Sequence, residues 1–153
     1  MFGNRRQFLQ SSAAAGAAAA FAAPAIRGQD KAKRYRTALI GTGWWGMNIL
    51  GEAVASNDCE VVAMCDVDQR QLNAAIDKLS SKTNDQPKRY DDFRELLDKE
   101  KPEICIVATP DHWHPLVMIA AVKAGANVYV EKPIGHTIRE GRAMTSTPTK
   151  WCC

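Results

Sequence analysis

The chain has 153 residues, 46% of them hydrophobic, which is enough to bury one core but about half of what a two-domain enzyme of ordinary size needs. Its formal net charge of +3 includes Arg5 and Arg6, and removing residues 1–25, which hold no acidic residue, leaves 18 basic and 17 acidic residues. Without a basic stripe interleaved with aromatic residues, the composition gives no support for binding to nucleic acid, and a small molecule is the expected ligand.

Residues 1–25 have the order of a signal peptide. Arg5 and Arg6 are followed by Phe-Leu and by an alanine-rich, weakly apolar run over 11–22, and small residues at 23–25 offer a cleavage site. This order resembles the twin-arginine type of signal and predicts passage through the twin-arginine export machinery to a periplasmic or other extracytoplasmic location. A membrane-anchoring helix is the alternative, although the run is short for a hydrocarbon core about 30 Å thick. If uncleaved, the leader would tether the protein to the membrane.

After a polar linker over 26–35, short apolar runs alternate with segments of helical spacing throughout the expected domain, 36–144. The predicted strands are 37–41, 60–66, 88–90, 103–109 and 127–131, and the predicted helices are 47–55, 69–79, 93–101 and 116–124. Near-continuous apolar strands joined by amphipathic helices indicate a parallel sheet covered on both faces, because each connection must cross over. The predicted fold class is therefore α/β, a doubly wound parallel sheet of order 3-2-1-4-5 that binds its ligand at the carboxyl ends of the strands.

A glycine-rich loop lies between the first predicted strand and the first predicted helix. Its motif G-x-G-x-x-G consists of Gly41, Thr42, Gly43, Trp44, Trp45 and Gly46. Gly41 would permit a tight turn, Gly43 would let the backbone approach a pyrophosphate, and Gly46 would let the helix pack on the strand. A packing turn, or a nucleotide site of the methyltransferase kind, is the alternative to the dinucleotide site that this loop predicts.

An acidic residue supports the dinucleotide interpretation. Asp66 follows Gly46 by 20 residues and ends the second predicted strand, where a carboxylate can accept hydrogen bonds from ribose hydroxyls. Asp66 would repel a 2′-phosphate and favour NAD, whereas Arg70, one turn into the next helix, could reach such a phosphate and admit NADP. Arg70 is equally well explained as a solvated charge on a helix.

A polar and aromatic cluster follows the fourth predicted strand. We expect Thr109 and Pro110 to shape the floor beneath the dinucleotide, and His114 either to face the nicotinamide or to cap the next helix. Asp111, His112 and His114 invite comparison with a metal site, but this loop has no clear third ligand and its prolines favour a rigid turn. The five cysteines have no metal-site spacing either, so no metal is predicted.

The segment after the fifth predicted strand completes a set of four motifs. ALIGTGWWG, CDVDQRQL, IVATPDHWHP and VYVEKPIGHTIREG together resemble the glucose-fructose oxidoreductase and inositol dehydrogenase family (Gfo/Idh/MocA) over residues 36–144. The resemblance implies a Rossmann domain that holds a nicotinamide dinucleotide tightly and hydride transfer to or from a sugar-like or polyol substrate. It places Lys132 beside the nicotinamide and the reacting hydroxyl, assigns Glu131 to orienting Lys132 or binding cofactor, and gives Pro133 a frequent cis bond.

The sequence departs from the family after residue 144. Residues 145–153 read TSTPTKWCC, and Pro148 breaks the helical pattern, so this segment is expected to be an aberrant tail. The family's carboxyl-terminal α/β substrate domain, which provides the histidine partner of Lys132 and the homo-oligomer surface of full-length relatives, is expected to be absent. Three alternatives to the cofactor half of an oxidoreductase therefore stay open: an NAD-dependent glycoside hydrolase relative, a non-catalytic dinucleotide-binding fragment, and an interaction module independent of nucleotides.

Overall fold

A computed structural model of the chain describes residues 33–147. The predicted signal peptide (1–25), most of the predicted linker (26–35) and most of the predicted tail (145–153) lie outside these residues. The strands are β1 (Tyr35–Ile40), β2 (Cys59–Cys65), β3 (Lys88–Tyr90), β4 (Ile104–Val107) and β5 (Asn127–Val130). The helices are α1 (Trp44–Ala55), α2 (Gln69–Ser80), α3 (Phe93–Glu100), α4 (His114–Lys123) and α5 (Ile138–Thr145), with a 3-10 turn over Asp111–Trp113.

The predicted strands and helices are confirmed, with shifts at their ends. The largest shift is at α1, which begins at Trp44 and not at residue 47, because the last three residues of the glycine motif already form its first turn. Helix α4 likewise begins at His114, ahead of the predicted residue 116, with Pro115 in its first turn, where a missing N–H costs no hydrogen bond.

All five strands are parallel and lie in the order β3-β2-β1-β4-β5, as predicted. Ile40, the last residue of β1, is level with Cys65 of β2 and with Val107 of β4, and Val107 is level with Val130 of β5. This register brings the glycine loop and the segments that follow β2, β4 and β5 to one edge of the sheet.

The core has two layers, one on each face of the sheet. Alternate residues of β1 point to opposite sides, so Leu39 packs with α1 and α2, whereas Ile40 packs with α3 and α4. Leu50 and Leu72 on the first face and Leu96 on the second are fully buried. Burial of each such leucine stabilises the fold by about 1.5–3 kcal/mol. Both faces are covered, which is why the strands are apolar on both sides.

The described part of the chain contains neither a membrane-spanning helix nor a metal-ligating cluster. None of the helices within residues 33–147 is long and apolar enough to cross a membrane. Within the same residues, no three His, Cys, Asp or Glu side chains converge on a point that could hold a metal ion. His112 and His136 instead contact Asp111 directly.

Candidate functional site

Two glycines of the motif after β1 are required by the fold itself. Gly41 has φ +92°, and a Cβ built on it would lie 2.6 Å from the backbone C and O atoms of Ala108. A Cβ on Gly46 would lie 2.2 Å from the carbonyl oxygen of Gly41. Any side chain at either position would push α1 or the loop away from the end of β4.

The middle glycine of the motif differs from the other two. Gly43 has the ordinary extended conformation, φ −62° and ψ 177°, and a Cβ on it would meet no atom within 4 Å. It is the residue that precedes α1, no side chain caps this helix end, and the first turn contains no acidic residue. The first backbone N–H groups of α1 therefore lie free beside open space, an arrangement that favours an anion.

Asp66 is tied to the glycine loop. Its Oδ2 accepts hydrogen bonds from the backbone N of Thr42 at 2.7 Å and from Thr42 Oγ1 at 2.9 Å. Its Oδ1 accepts from the backbone N of Asp68 at 3.0 Å. Because a carboxylate offers about four acceptor sites, Asp66 retains capacity for a ligand hydroxyl.

A cavity of about 770 Å³, here called the larger cavity, follows the carboxyl ends of β1 to β4. Its volume lies within the range of small-molecule sites. Most of the predicted cofactor residues that follow β1, β2 and β4 line it: Gly41, Gly43, Trp44, Trp45, Asp66, Thr109 and Pro110. Arg70 does not line it, because its side chain is 93% exposed and lies 3.4 Å from the carboxylate of Asp68.

The larger cavity also has lining residues that the sequence analysis did not assign to the site. They are Val67, Asp68 and Gln71 beyond β2, Asp91, Asp92, Phe93 and Arg94 beyond β3, and Trp113 beyond β4. With Asp66 included, four carboxylates and the guanidinium of Arg94 therefore line the larger cavity. The carboxylates could have been predicted from their sequence position directly after β2 and β3, because ligands bind at this edge of the sheet.

A second cavity of about 370 Å³, the smaller cavity, extends toward the end of β5. It shares Trp44, Trp45, Ala108 and Thr109 with the larger cavity and adds Asp111, His114, Glu131 and Lys132. The two cavities therefore form one cleft. In this cleft Thr109 Oγ1 is a buried polar atom without a hydrogen-bond partner, and leaving such an atom unpaired costs free energy.

Glu131, directly after β5, accepts hydrogen bonds from the residues around it. A hydrogen bond from the Trp45 side chain, followed by one from the Tyr129 hydroxyl, holds the pKa of Glu131 below its ordinary value. The Tyr129 contact to Oε1 measures 2.9 Å, and the backbone N of Lys132 donates to Oε2 at 3.2 Å. The next peptide bond, Lys132–Pro133, is cis. Glu131 thus fixes the backbone that carries Lys132.

His114 joins the segments that follow β4 and β5. Its ring is buried, with Nδ1 2.8 Å from the carbonyl oxygen of Pro133 and Nε2 2.8 Å from that of Thr109. The ring makes no capping hydrogen bond to α4, although His114 is the first residue of that helix. Its place in the fold is therefore a bridge between the two segments that line the smaller cavity.

Comparison with known families identifies two regions of the chain. Residues 35–150 match the profile described as "Oxidoreductase family, NAD-binding Rossmann fold", named GFO_IDH_MocA. Residues 4–22 match the profile of the twin-arginine translocation pathway signal sequence. The second region lies outside the residues that the structure describes.

Curated relatives share the same part of the sequence. A glycosyl hydrolase family 109 protein of Stenotrophomonas maltophilia (strain K279a) is 34% identical over 142 residues, which cover 89% of this chain and 31% of the relative. A protein of the same name from Saccharopolyspora erythraea is 31% identical over 119 residues, 75% of this chain and 26% of the relative. The chain thus spans about a third of the length of these relatives.

Solved structures show the same fold and the same partial coverage. The WlbA dehydrogenase of Bordetella pertussis, crystallised with NADH and UDP-GlcNAcA, aligns with a TM-score of 0.67 and 25% identity over 75% of this chain and 33% of its own. The myo-inositol 2-dehydrogenase of Lactobacillus plantarum aligns with a TM-score of 0.66 and 27% identity over 75% of this chain and 33% of its own.

Proposed function

Because the chain belongs to the oxidoreductase family with the NAD-binding Rossmann fold, we propose that its cleft holds NAD as the cofactor half of an enzyme acting on a sugar-like or polyol substrate. The observation that carries this proposal is the uncapped amino terminus of α1 behind Gly43, which opens onto a cleft ending at Lys132. A dinucleotide needs an anion site in its middle and a reactive group at one end, and this cleft offers both.

The residues in the middle of the cleft suit the pyrophosphate, the central group of the dinucleotide. The first N–H groups of α1 would hold the pyrophosphate, since Gly43 leaves the space in front of them free of side-chain atoms. The unpartnered Thr109 Oγ1 would gain a hydrogen-bond partner from a ligand in the cleft. In the protein alone, the N–H groups of α1 are unused and the unpaired Thr109 hydroxyl costs free energy. A ligand that carries both an anionic group and hydroxyl groups explains both features.

At the outer end of the larger cavity, the charges favour NAD over NADP. Asp66 would accept ribose hydroxyls with its remaining lone pairs. Asp68, Asp91 and Asp92 outnumber Arg94 among the other charged residues that line the same space. Arg70 is paired with Asp68 and does not line the cavity. Val67, 88% exposed beside Asp66, would provide an apolar contact for the adenine ring.

At the inner end, Lys132 is the proposed catalytic residue. When bound, the nicotinamide ring supplies the site that accepts or returns a hydride. The Lys132 side chain would hydrogen-bond the substrate hydroxyl and carry its proton as the carbon–hydrogen bond breaks. Glu131 and the bridge made by His114 position the backbone on either side of Lys132, which keeps its side chain at the smaller cavity.

The twin-arginine signal supports the proposal that the protein works in the periplasm after cleavage near residue 25. The resemblance of the leader to a twin-arginine signal implies an export route for proteins that are already folded and often loaded with cofactor. A periplasmic enzyme has no free pool of nicotinamide dinucleotide, so the cofactor would be held tightly and recycled by alternate substrates.

A second candidate function is supported by the names of the curated relatives. Several of them are glycosyl hydrolase family 109 proteins, so the chain could belong to an enzyme that cleaves glycosides with transient use of NAD. In both candidates Lys132 assists proton movement at a sugar hydroxyl. The products distinguish them: an oxidoreductase leaves reduced cofactor or an oxidised sugar, whereas a hydrolase releases the leaving group with no net change in the cofactor.

Isothermal titration of the purified protein with NAD and NADP, with mass spectrometry for co-purifying dinucleotide, tests the proposal. Saturable binding of NAD, tighter than that of NADP, is the expected result. A folded protein that binds neither would overturn the proposal and leave a fragment without nucleotide function. In a full-length enzyme that carries this cofactor half with NAD bound, nitrophenyl glycosides and polyols offered in parallel would separate the two candidate activities by leaving-group release or by reduced-cofactor absorbance.

A further inference from the structure

Asp111 is a residue of the cleft that has no role in the proposed cofactor site. It lies at the first position of the 3-10 turn after β4, and its side chain lines the smaller cavity together with Trp44 and Lys132. Within the turn, Trp113 N donates to the carbonyl oxygen of Pro110, and the backbone N of His112 donates to one carboxylate oxygen of Asp111, Oδ1. Asp111 therefore presents a charged group to the space beside the proposed catalytic lysine.

Two histidines hold Asp111 in place. His136 Nε2 lies 2.9 Å from Oδ2, and His112 Nδ1 lies 3.6 Å from Oδ1, which also accepts the backbone N of His112 at 2.9 Å. The hydrogen bond from His136 is the main cause that lowers the pKa of Asp111. A carboxylate held in this way stays ionised and oriented, and it keeps lone pairs for further donors.

The other charged groups of the smaller cavity make Asp111 distinctive. Glu131 is already engaged by Trp45, Tyr129 and the backbone N of Lys132. Lys132 is exposed and carries the positive charge. Asp111 is thus the carboxylate of this cavity whose side-chain partners are histidines, and the two carboxylates together outweigh the single lysine. An anionic ligand would meet net repulsion there.

An aromatic surface lies across the same cavity. The Trp44 indole is 73% exposed, although large apolar side chains are normally buried, and its ring centroid lies 5.3 Å from that of Trp45. An exposed indole offers a flat apolar surface to the carbon–hydrogen face of a sugar ring, and an ionised carboxylate accepts its hydroxyls through charge-assisted hydrogen bonds. Trp44 and Asp111 line the same cavity as Lys132 and supply this pair of contacts.

We propose that Asp111 anchors hydroxyl groups of a neutral polyhydroxylated ring in the smaller cavity and selects against anionic sugars, with His112 and His136 as its positioning residues. The inference rests on the proposed function, since it concerns the substrate of the same cleft. It narrows the substrate class to neutral polyols and sugars, in contrast to the sugar-acid nucleotide present in the WlbA structure.

The test uses the purified protein saturated with NAD and two probes, the neutral myo-inositol and the anionic D-glucuronate, each titrated by ligand-observed NMR. We expect myo-inositol to bind about tenfold more tightly than glucuronate. A ratio of about tenfold in affinity is what the loss of one charge-assisted hydrogen bond, or one repulsion between two carboxylates, would produce. Asp111→Asn should weaken myo-inositol binding about tenfold and narrow the preference over glucuronate. Its NAD affinity should stay unchanged.

Two further variants separate positioning from general damage. His136→Gln keeps a donor for Asp111 and should retain most of the myo-inositol affinity, whereas His136→Ala should lose it at unchanged NAD affinity. Asp77→Asn, an exposed residue of α2 that lines neither cavity, is the matched control and should resemble the unaltered protein. Failure to bind NAD would defeat the proposed function first. NAD binding without myo-inositol binding, equal affinity for both probes, or an unaffected Asp111→Asn variant would overturn only the role of Asp111.

Discussion

Thr42 donates two hydrogen bonds to a single carboxylate oxygen of Asp66, from its backbone N at 2.7 Å and from Oγ1 at 2.9 Å. Thr42 is buried and belongs to the loop after β1, whereas Asp66 follows β2. The residue proposed to bind the ribose is therefore also the residue that fixes the glycine loop. A change at Asp66 is expected to affect both stability and cofactor choice.

Asp66→Ala should lower the free energy of unfolding by about 1–3 kcal/mol, because the N–H and hydroxyl of Thr42 are left buried without an acceptor. The same variant should weaken NAD binding more than NADP binding, since it removes the carboxylate that repels a 2′-phosphate. Urea denaturation and calorimetric titration measure the two effects. Equal losses for both dinucleotides would show that Asp66 acts only through the loop.

Gly43→Val should abolish NAD binding, by about a hundredfold or more, while changing the free energy of unfolding by less than about 1 kcal/mol. The Cβ meets open space in the free protein and would occupy the approach to the first N–H groups of α1. Gly46→Ala is the matched contrast: its Cβ would lie 2.2 Å from a backbone oxygen, so stability should fall by about 1–3 kcal/mol. Unchanged NAD affinity in Gly43→Val would defeat the assignment of the loop.

Glu100 is a buried carboxylate whose pKa is lowered, chiefly by the hydrogen bond from Tyr90 at 2.6 Å and then by Lys88 at 2.9 Å. Glu100→Gln should lower the free energy of unfolding by about 1–3 kcal/mol at neutral pH. A lowered pKa contributes stability above the unfolded value of 4.5, and this contribution is lost as the pH falls through the folded value. The variant should therefore show a shallower loss of stability in acid.

The hydrogen bond between Tyr90 and Glu100 should also cause a loss of stability in alkali. Folding raises the pKa of Tyr90 from 10 to about 12, with the hydrogen bond to Glu100 as the first cause. Its contribution is complete below pH 10 and is lost as the pH rises toward about 12. Tyr90→Phe should remove this alkaline dependence in denaturation curves, and an unaltered curve would contradict the coupling.

Trp45→Phe should raise the pKa of Glu131 toward its ordinary value, because the Trp45 side chain is the main cause of its depression. Tyr129→Phe should raise it less, since Tyr129 is the second cause. Carboxyl-carbon NMR titration of both variants measures the order. A larger effect from Tyr129 would mean that Glu131 is anchored within its own strand and not to the glycine loop.

Replacing Arg5 and Arg6 together by lysine should stop export and keep the protein in the cytoplasm. Lysine keeps the charge but lacks the planar fork of the guanidinium, so a receptor that reads paired arginines should reject it. Cell fractionation and the mass of the amino terminus provide the measurement. Arg27→Lys, outside the leader, is the control, and periplasmic recovery of the double variant would refute the twin-arginine route.

The sequence by itself determined the order of strands and helices, the parallel sheet and the site at its carboxyl edge. Apolar periodicity and glycine positions are local properties that a backbone must obey. The turn at Gly41, the close packing at Gly46 and the position of Asp66 after β2 could therefore be predicted from the residue pattern alone. The residue pattern did not locate the start of α1. The spacing of apolar residues predicted a helix from residue 47, whereas the first turn of α1 begins at Trp44, inside the glycine motif.

Only the tertiary structure decided which side chains meet across the sheet. Arg70 pairs with Asp68 and does not line the larger cavity, and His114 bridges Thr109 and Pro133. Asp111 is held by His136, 25 residues further along the chain. Such contacts depend on the register of the strands and on the side-chain rotamers that packing allows, neither of which one segment contains. The position of the site is thus a property of local pattern, whereas its charges and their partners are a property of the packed fold.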